Sequence, residues 1–328
     1  MATSNGKWGK RLISYAEIPS WAHDNDFILS GYRAPGGTHD SFWKCWESVW
    51  LYLHNETVNI HTHLWGAIPA ITAPLALNAL ITTPGHESLF PWHDVRARDN
   101  TYADWLGYAS YLAGAITVLT CSATFHTLHC HSEKVSKSYN KLDYIGIVAM
   151  IVGSFLPMIH YGFHCHPNLQ LLYSVMIVTL GGAAAYTVLA QKFSSPAYRP
   201  IRTSVFIALG LSAIFPVTHI LAMYGHETVT RTMGLHYLVA GGALYIVGAC
   251  MYMARIPERF SPGTFDLFGA SHQIFHILIL FAAFCHYISI RRAHVFWHTV
   301  EAVTSGPGTA TEAVCQAFEI LRFSTTKQ

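Results

Sequence analysis

Seven stretches of this chain, about residues 59–81, 104–127, 142–160, 169–190, 203–224, 234–254 and 272–290, are long and almost uncharged. A run of roughly 18 or more apolar residues with few charges is long enough to cross a bilayer as a helix. The alternative, a large soluble helical core, calls for polar faces at helical spacing. A stretch such as "LLYSVMIVTLGGAAAYTVLA" has no such face. Only 12% of the residues are charged, about half the usual share for a soluble globular domain. The expected fold class is therefore an all-α membrane protein with seven transmembrane helices.

The placement of the basic residues orients the bundle. With the N-terminus cytoplasmic, residues 1–58 and the loops after the second, fourth and sixth spans hold 13 of the 20 Lys and Arg. An excess of Lys and Arg beside the cytoplasmic membrane ends favours this arrangement, with the C-terminus extracellular; Arg291 and Arg292 run against the trend. Three regions follow: a cytoplasmic arm over 1–58, the seven-helix domain over 59–290, and an extracellular tail over 291–328. Within the arm, Phe42, Trp43, Trp46, Val49, Trp50 and Leu53 recur at helical spacing. They mark an amphipathic helix over about 40–53, either lying in the membrane interface or packed on the cytoplasmic ends of the spans. No cleavable leader is expected in "MATSNGKWGKRLISYAEIPS", which lacks an apolar centre. The tail stretch "TATEAVCQAFEILRF" suits a short outer helix. Pro157 and Pro216 are expected to bend the third and fifth spans.

Polar residues inside such spans carry the functional signal, because ionisable groups in a bilayer are costly and usually have partners. Asp143 stands near the start of the third span and His126 at the end of the second, joined by the short loop "HSEKVSKSYN". Antiparallel spans place the two at one depth near the cytoplasmic side. The loop between the sixth and seventh spans returns to that side, where His272 and His276, four apart, share one helical face. Three imidazoles suit Zn²⁺ and leave one coordination position open for water. Asp143 is placed to hold and deprotonate such a water, and Ser122, one turn before His126, to bond the water or a substrate oxygen. Each residue also has a duller role. Lone histidines pack or hydrogen-bond, Ser122 can bond its own backbone, and Asp143 can pair with Lys141 or cap its helix. Their shared depth is what favours one metal site.

Two other histidine groups were weighed. "HYGFHCH" supplies His160, His164, Cys165 and His166 on the outer side, but without an acid, and is expected to be a surface loop, with adventitious metal binding as the minor reading. His61 and His63 alternate on their helix and are not expected to share a site. Cys165 and Cys315 both face outside and are able to pair. "NET" at Asn55 matches a glycosylation pattern but falls on the cytoplasmic side.

The segments "LSGYR", "NETVNIHTHLWG", "FHTLHCHSEKVSKSYNKLDYIG" and "IPERFSPGTFDLFGASHQIFH" strongly resemble the progestin and adipoQ receptor family. The likeness runs from about Trp21 to Tyr287 and is nearest to adiponectin receptors and their fungal, haemolysin III-related homologues. It implies seven helices with a cytoplasmic N-terminus and a buried zinc bound by His126, His272 and His276. Asp143 would contact the metal through water, with Ser122 at the family's serine position. Thr264 stands where close relatives often have Lys. The resemblance further implies a zinc-dependent hydrolase releasing sphingoid base and fatty acid from ceramide or like membrane lipids, in the plasma membrane. The competing expectation is a receptor for an extracellular protein ligand, with structural zinc and no turnover. A transporter is disfavoured, since the cluster sits at one end and no repeated half is evident. No nucleic-acid partner is expected, and the sequence leaves oligomeric state open.

Overall fold

The computed structural model describes residues 12–82, 102–190, 193, 195–304 and 315. A two-stranded antiparallel ribbon, β1 (Leu12–Ile13) and β2 (Tyr32–Arg33), pairs Leu12 with Arg33 and introduces the helices. They follow in order as α1 (Phe42–Leu51), α2 (Thr57–Thr82), α3 (Tyr102–Leu128), α4 (Glu133–Gly162), α5 (Pro167–Leu189), α6 (Arg199–Leu211), α7 (Ile214–Met233), α8 (Leu235–Ala254) and α9 (Ser271–Thr304).

Six helical segments among the described residues are long and apolar enough to cross a membrane: α3, α4, α5, α6 with α7, α8 and α9. The first expected span, 59–81, falls on α2, a helix of 26 residues. The fifth expected span is built from two helices: α6 ends at Leu211 and α7 begins at Ile214, two residues before Pro216. Pro157 instead lies within a continuous α4. The last helix extends beyond the expected end near 290, to Thr304. Of the tail stretch, only Cys315 lies within the described residues, and it is bonded to Cys165 as its position allowed.

In α1 the small residues Cys45, Ser48 and Val49 are buried, whereas Phe42, Trp43, Trp46 and Trp50 are exposed. The expected aromatic stripe therefore faces outward, and the narrow face packs inward.

Close approach of α3 and α4 fixes the depth of their polar residues. A Cβ on Gly146 would lie 2.8 Å from the Cα of Val118, so only glycine permits that approach. Small residues play this part generally where helices meet in lipid. The crossing sets Asp143 one turn below Gly146 against the last turns of α3, which carry Ser122 and His126. The apolar core continues around it through Tyr111, Val118, Val148, Phe155 and Ile177.

Candidate metal centre

The end of α3 is held from outside the bundle. A helix leaves its last carbonyls without intrahelical partners. Here the buried Arg33 donates to the carbonyls of His126 and Thr127, the latter at 2.9 Å, and to Ser48 Oγ at 2.9 Å. A cation at a helix C-terminus is also favoured by the helix dipole. Gly31, at φ +81°, turns the chain towards Arg33, and a Cβ there would lie 3.0 Å from Leu267. The carboxylate of Asp266 accepts from Leu29 N at 2.8 Å and Ser30 Oγ at 2.6 Å. The segments "LSGYR" and "SPGTFD" thus clasp one another, and together they seat the start of α9 beside the end of α3.

Glu258 holds α9 itself. It is fully buried and accepts from Ser271 N at 2.7 Å, from Ser271 Oγ and from Asn25 Nδ2 at 3.0 Å. That carboxylate meets the positive end of the helix and fixes the residue just before His272.

His126, His272 and His276 converge. Their ring centroids are 4.9, 4.9 and 4.8 Å apart, and one nitrogen from each lies within 4.8 Å of the others. His126 and His276 are each 1% exposed, and His272 is half-buried. The outward nitrogens are engaged: His126 Nδ1 by Glu56 Oε2 at 2.7 Å, and His276 Nδ1 by the Asn59 carbonyl at 3.1 Å. Such partners orient the rings of metal-binding histidines and fix their tautomers. The inward Nε2 of His126 is buried without a hydrogen-bond partner, and an orphaned buried nitrogen of this kind is costly unless something occupies it. The three residues could therefore hold a metal ion.

Asp143 and Ser122 are buried and line the same cavity as the three histidines. Asp143 is not one of the three mutually close donors. The structure thus brings all five expected residues together and separates the acid from the histidine triad.

Three neighbours, Glu56, Asn59 and Thr62, escaped the sequence reading, and a fourth, His63, was weighed only as a partner of His61. Glu56 bridges His126 and His129, the second contact at 3.4 Å, and accepts from Asn59 Nδ2 at 2.7 Å. Burial alone would raise its pKa, but His126 and then His129 hold the carboxyl well below its ordinary value. Thr62 Oγ1 lies 3.4 Å from His276 Nδ1, and His63 stacks on His276 at 3.8 Å. Glu56, Asn59 and His63 recur at helical spacing at the start of an apolar run. That inward polar stripe was the available signal, and His63 sits beside the site after all. The buried Asn55 stays internal, its carbonyl accepting from Gln273 Nε2 at 3.2 Å.

The cavity has a volume of about 1130 Å³. It runs from the histidines and Asp143 to apolar residues deep among α4, α7 and α8, including Phe155, Val217 and Leu238. Ser20–Asn25 of the arm also line it, where Asp24 forms an ion pair with Arg199 and its carbonyl accepts from Arg255.

Residues 51–287 match the model of the family described as haemolysin-III related. The chain belongs to the haemolysin-III related family. Among curated relatives, this family member is 39% identical over 280 residues to the "Adiponectin receptor protein" of Drosophila melanogaster, covering 85% of this chain and 59% of the fly protein. It is 37% identical to "Progestin and adipoQ receptor-like protein 1" of Caenorhabditis elegans, covering 88% of this chain and 62% of the worm protein. It is 35% identical to "ADIPOR-like receptor IZH2" of Saccharomyces cerevisiae, covering 88% and 86% of the two chains. The chain thus spans less than two thirds of the fly and worm relatives' own length. Membership in this receptor-like family agrees with the resemblance carried by the four quoted segments.

Proposed function

We propose that this haemolysin-III related protein is a zinc-dependent membrane amidase that hydrolyses ceramide-like lipids to a sphingoid base and a fatty acid. The observation carrying this reading is the continuous cavity that joins a water-reactive polar cluster to an apolar interior large enough for acyl chains. Sites of this kind are mostly apolar with a few converging polar groups. His126, His272 and His276 would hold the metal. Bound Zn²⁺ in such a setting polarises a carbonyl and makes water acidic near neutral pH.

The remaining work falls to the chain's own residues. Asp143 accepts the proton of the attacking water and delivers it to the departing amine nitrogen. Ser122 orients that carboxylate and is available to donate to the oxygen that becomes negative. Glu56 and Asn59 keep the imidazoles aimed. The tails lie against Phe155, Val217 and Leu238, and the arm closes the polar end against bulk water.

We assign seven spans, with α2 as the first, and an inward N-terminus. The Cys165–Cys315 disulfide belongs to the end of the bundle away from His126, and disulfides persist on the oxidising side of a membrane. The plasma membrane suits that polarity. The outward aromatics of α1 suit a helix lying in the membrane interface, where Trp is enriched.

The names of the fly and yeast relatives favour a second reading, a receptor for an extracellular ligand in which zinc is structural. One experiment separates the two. Purified protein in detergent is incubated with ceramide, and released fatty acid and sphingosine are measured by mass spectrometry beside a zinc-loaded Asp143→Ala variant. Product from the wild type alone supports the amidase. No product from either, with zinc retained, favours the receptor.

A further inference from the structure

The outer histidines were expected to form a surface loop lacking an acid; His164, Cys165 and His166 form the half-buried turn after α4, and an acid stands beside His160. His160 lies at the end of α4, next to Tyr161 and Phe163, which are 1% and 0% exposed. The acid comes from another helix: Asp104, at the start of α3, lies 3.9 Å from His160 Nε2. Asp104 also accepts from Tyr161 OH at 2.6 Å and approaches His298 Nε2 at 3.1 Å. Asp104, His294 and His298 are 2%, 7% and 3% exposed. One donor atom from each lies within 4.8 Å of the others, the same criterion met by His126, His272 and His276.

The two clusters repeat a single plan. His294 and His298 are four residues apart on α9, as are His272 and His276. The same separation of 22 residues relates Asp104 to His126, His272 to His294, and His276 to His298. Twenty-two residues make about six helical turns and a rise of about 33 Å. On each helix the outer donors therefore return to the face of the inner ones, roughly one hydrocarbon thickness away. Tyr111 OH donates to the Ala283 carbonyl at 2.6 Å and ties α3 to α9 between the two levels.

We propose that Asp104, His294 and His298 form a second metal site, for a divalent transition-metal cation of the zinc class, at the end of the bundle opposite the three-histidine cluster. Two imidazoles and a carboxylate are a donor set that such cations take. An ion pair between Asp104 and His298 accounts for one imidazole. The second, His294, has its ring centroid 4.3 Å from that of His298 and a donor atom turned to the same point. Burying a carboxylate inside a membrane-spanning bundle is costly, and a cation held beside it offsets that cost. Arg291, one turn before His294, is directed to Tyr108, whose hydroxyl accepts at 3.2 Å.

The site's role is to fasten the bundle. Its ligands tie the late turns of α9 to the first turn of α3, and through Tyr161 to the end of α4. Trp297 Nε1 donates to the Tyr161 carbonyl at 3.0 Å, and Trp297 stacks on His164 at 4.3 Å. The Cys165–Cys315 disulfide links the α4–α5 turn to the chain beyond α9 at the same end. None of the three ligands lines the large cavity, so this metal does not meet the lipid.

The test uses the full chain in detergent, stripped with a chelator and titrated with Zn²⁺, with bound metal counted by elemental analysis. The wild type is expected to bind one equivalent more than the His294→Gln/His298→Gln variant. Asp104→Asn, which keeps an acceptor for Tyr161, is expected to lose the same equivalent while eluting as the wild type on size exclusion. Equal stoichiometry and affinity in the wild type and Asp104→Asn would overturn the proposal. The difference between proteins decides, not the total, so the outcome is independent of whether the inner cluster holds zinc. A His272→Gln/His276→Gln variant removes the inner site and is expected to retain the outer equivalent.

Discussion

At one end of α3 and α9, His126 meets His272 and His276 at the mouth of a large cavity; at the other, Asp104 meets His294 and His298 among packed rings. The helices and the spacing are shared, and the surroundings differ. Inner ligands are oriented by Glu56 and Asn59 from α2 and its approach, and an acid, Asp143, stands apart with room beside it. At the outer end the acid is itself a donor, and Tyr161, Trp297 and His164 fill the space that a substrate would need. Chemistry requires an open position and a proton acceptor that is not a ligand; a fastening requires neither. On the proposals above, three histidines serve turnover and a carboxylate with two histidines serves fastening, according to what α2 and α4 place around them.

The comparison breaks most sharply at Asp143. Replacing it with Ala is expected to lower ceramide turnover by about 10²–10⁴-fold, the usual range for a positioned acid–base group, while bound zinc stays at the wild-type count. A variant that loses zinc instead would make Asp143 a ligand, like Asp104. Next in size is Glu56→Gln. It is expected to weaken the inner zinc by about 10–100-fold, the usual cost of removing a partner that orients a ligand, and to leave the outer equivalent in a Zn²⁺ titration untouched.

Arg33→Ala sharpens the contrast through stability. The buried carbonyls of His126 and Thr127 would lose their donor, at a cost of about 1–3 kcal/mol. A lowered thermal midpoint together with weaker inner-site zinc is the expected result. The smallest effect belongs to the arm. The Asp24 side chain is 54% exposed, so its pairing with Arg199 is screened, and Asp24→Asn should cost less than about 1 kcal/mol. Burial would raise this carboxyl's pKa, but Arg199 and then Arg255 hold it below the usual value. Its contribution is therefore complete above the ordinary aspartate pKa of about 4 and fades as pH falls through the depressed folded value. Protection factors at residues 20–30, with the intrinsic pH dependence of amide exchange divided out, should fall in that acid window and stay constant from pH 5 to 8.

The spans were legible because a bilayer demands uninterrupted apolar length, and six of the seven expected runs fall on helices that meet that demand. The donors His126, Asp143, His272 and His276 were legible because a short loop and an antiparallel chain fix depth before any packing is known. Sidedness was left open. The aromatics of α1 mark a helix, but periodicity alone does not tell an outward stripe from an inward one, and Cys45, Ser48 and Val49 turned out to face the bundle.

Glu56 and Asp104 show the same limit more plainly. Each lies far in sequence from its histidines, 70 residues in one case and 194 in the other, and no local pattern couples positions so distant. By itself the sequence determined which residues are buried in lipid, at what depth they lie, and that an i,i+4 histidine pair shares a face. Only the tertiary structure decided which helices stand beside those pairs. The depth of a residue follows from counting along its own helix, whereas its neighbours follow from how the helices close around one another.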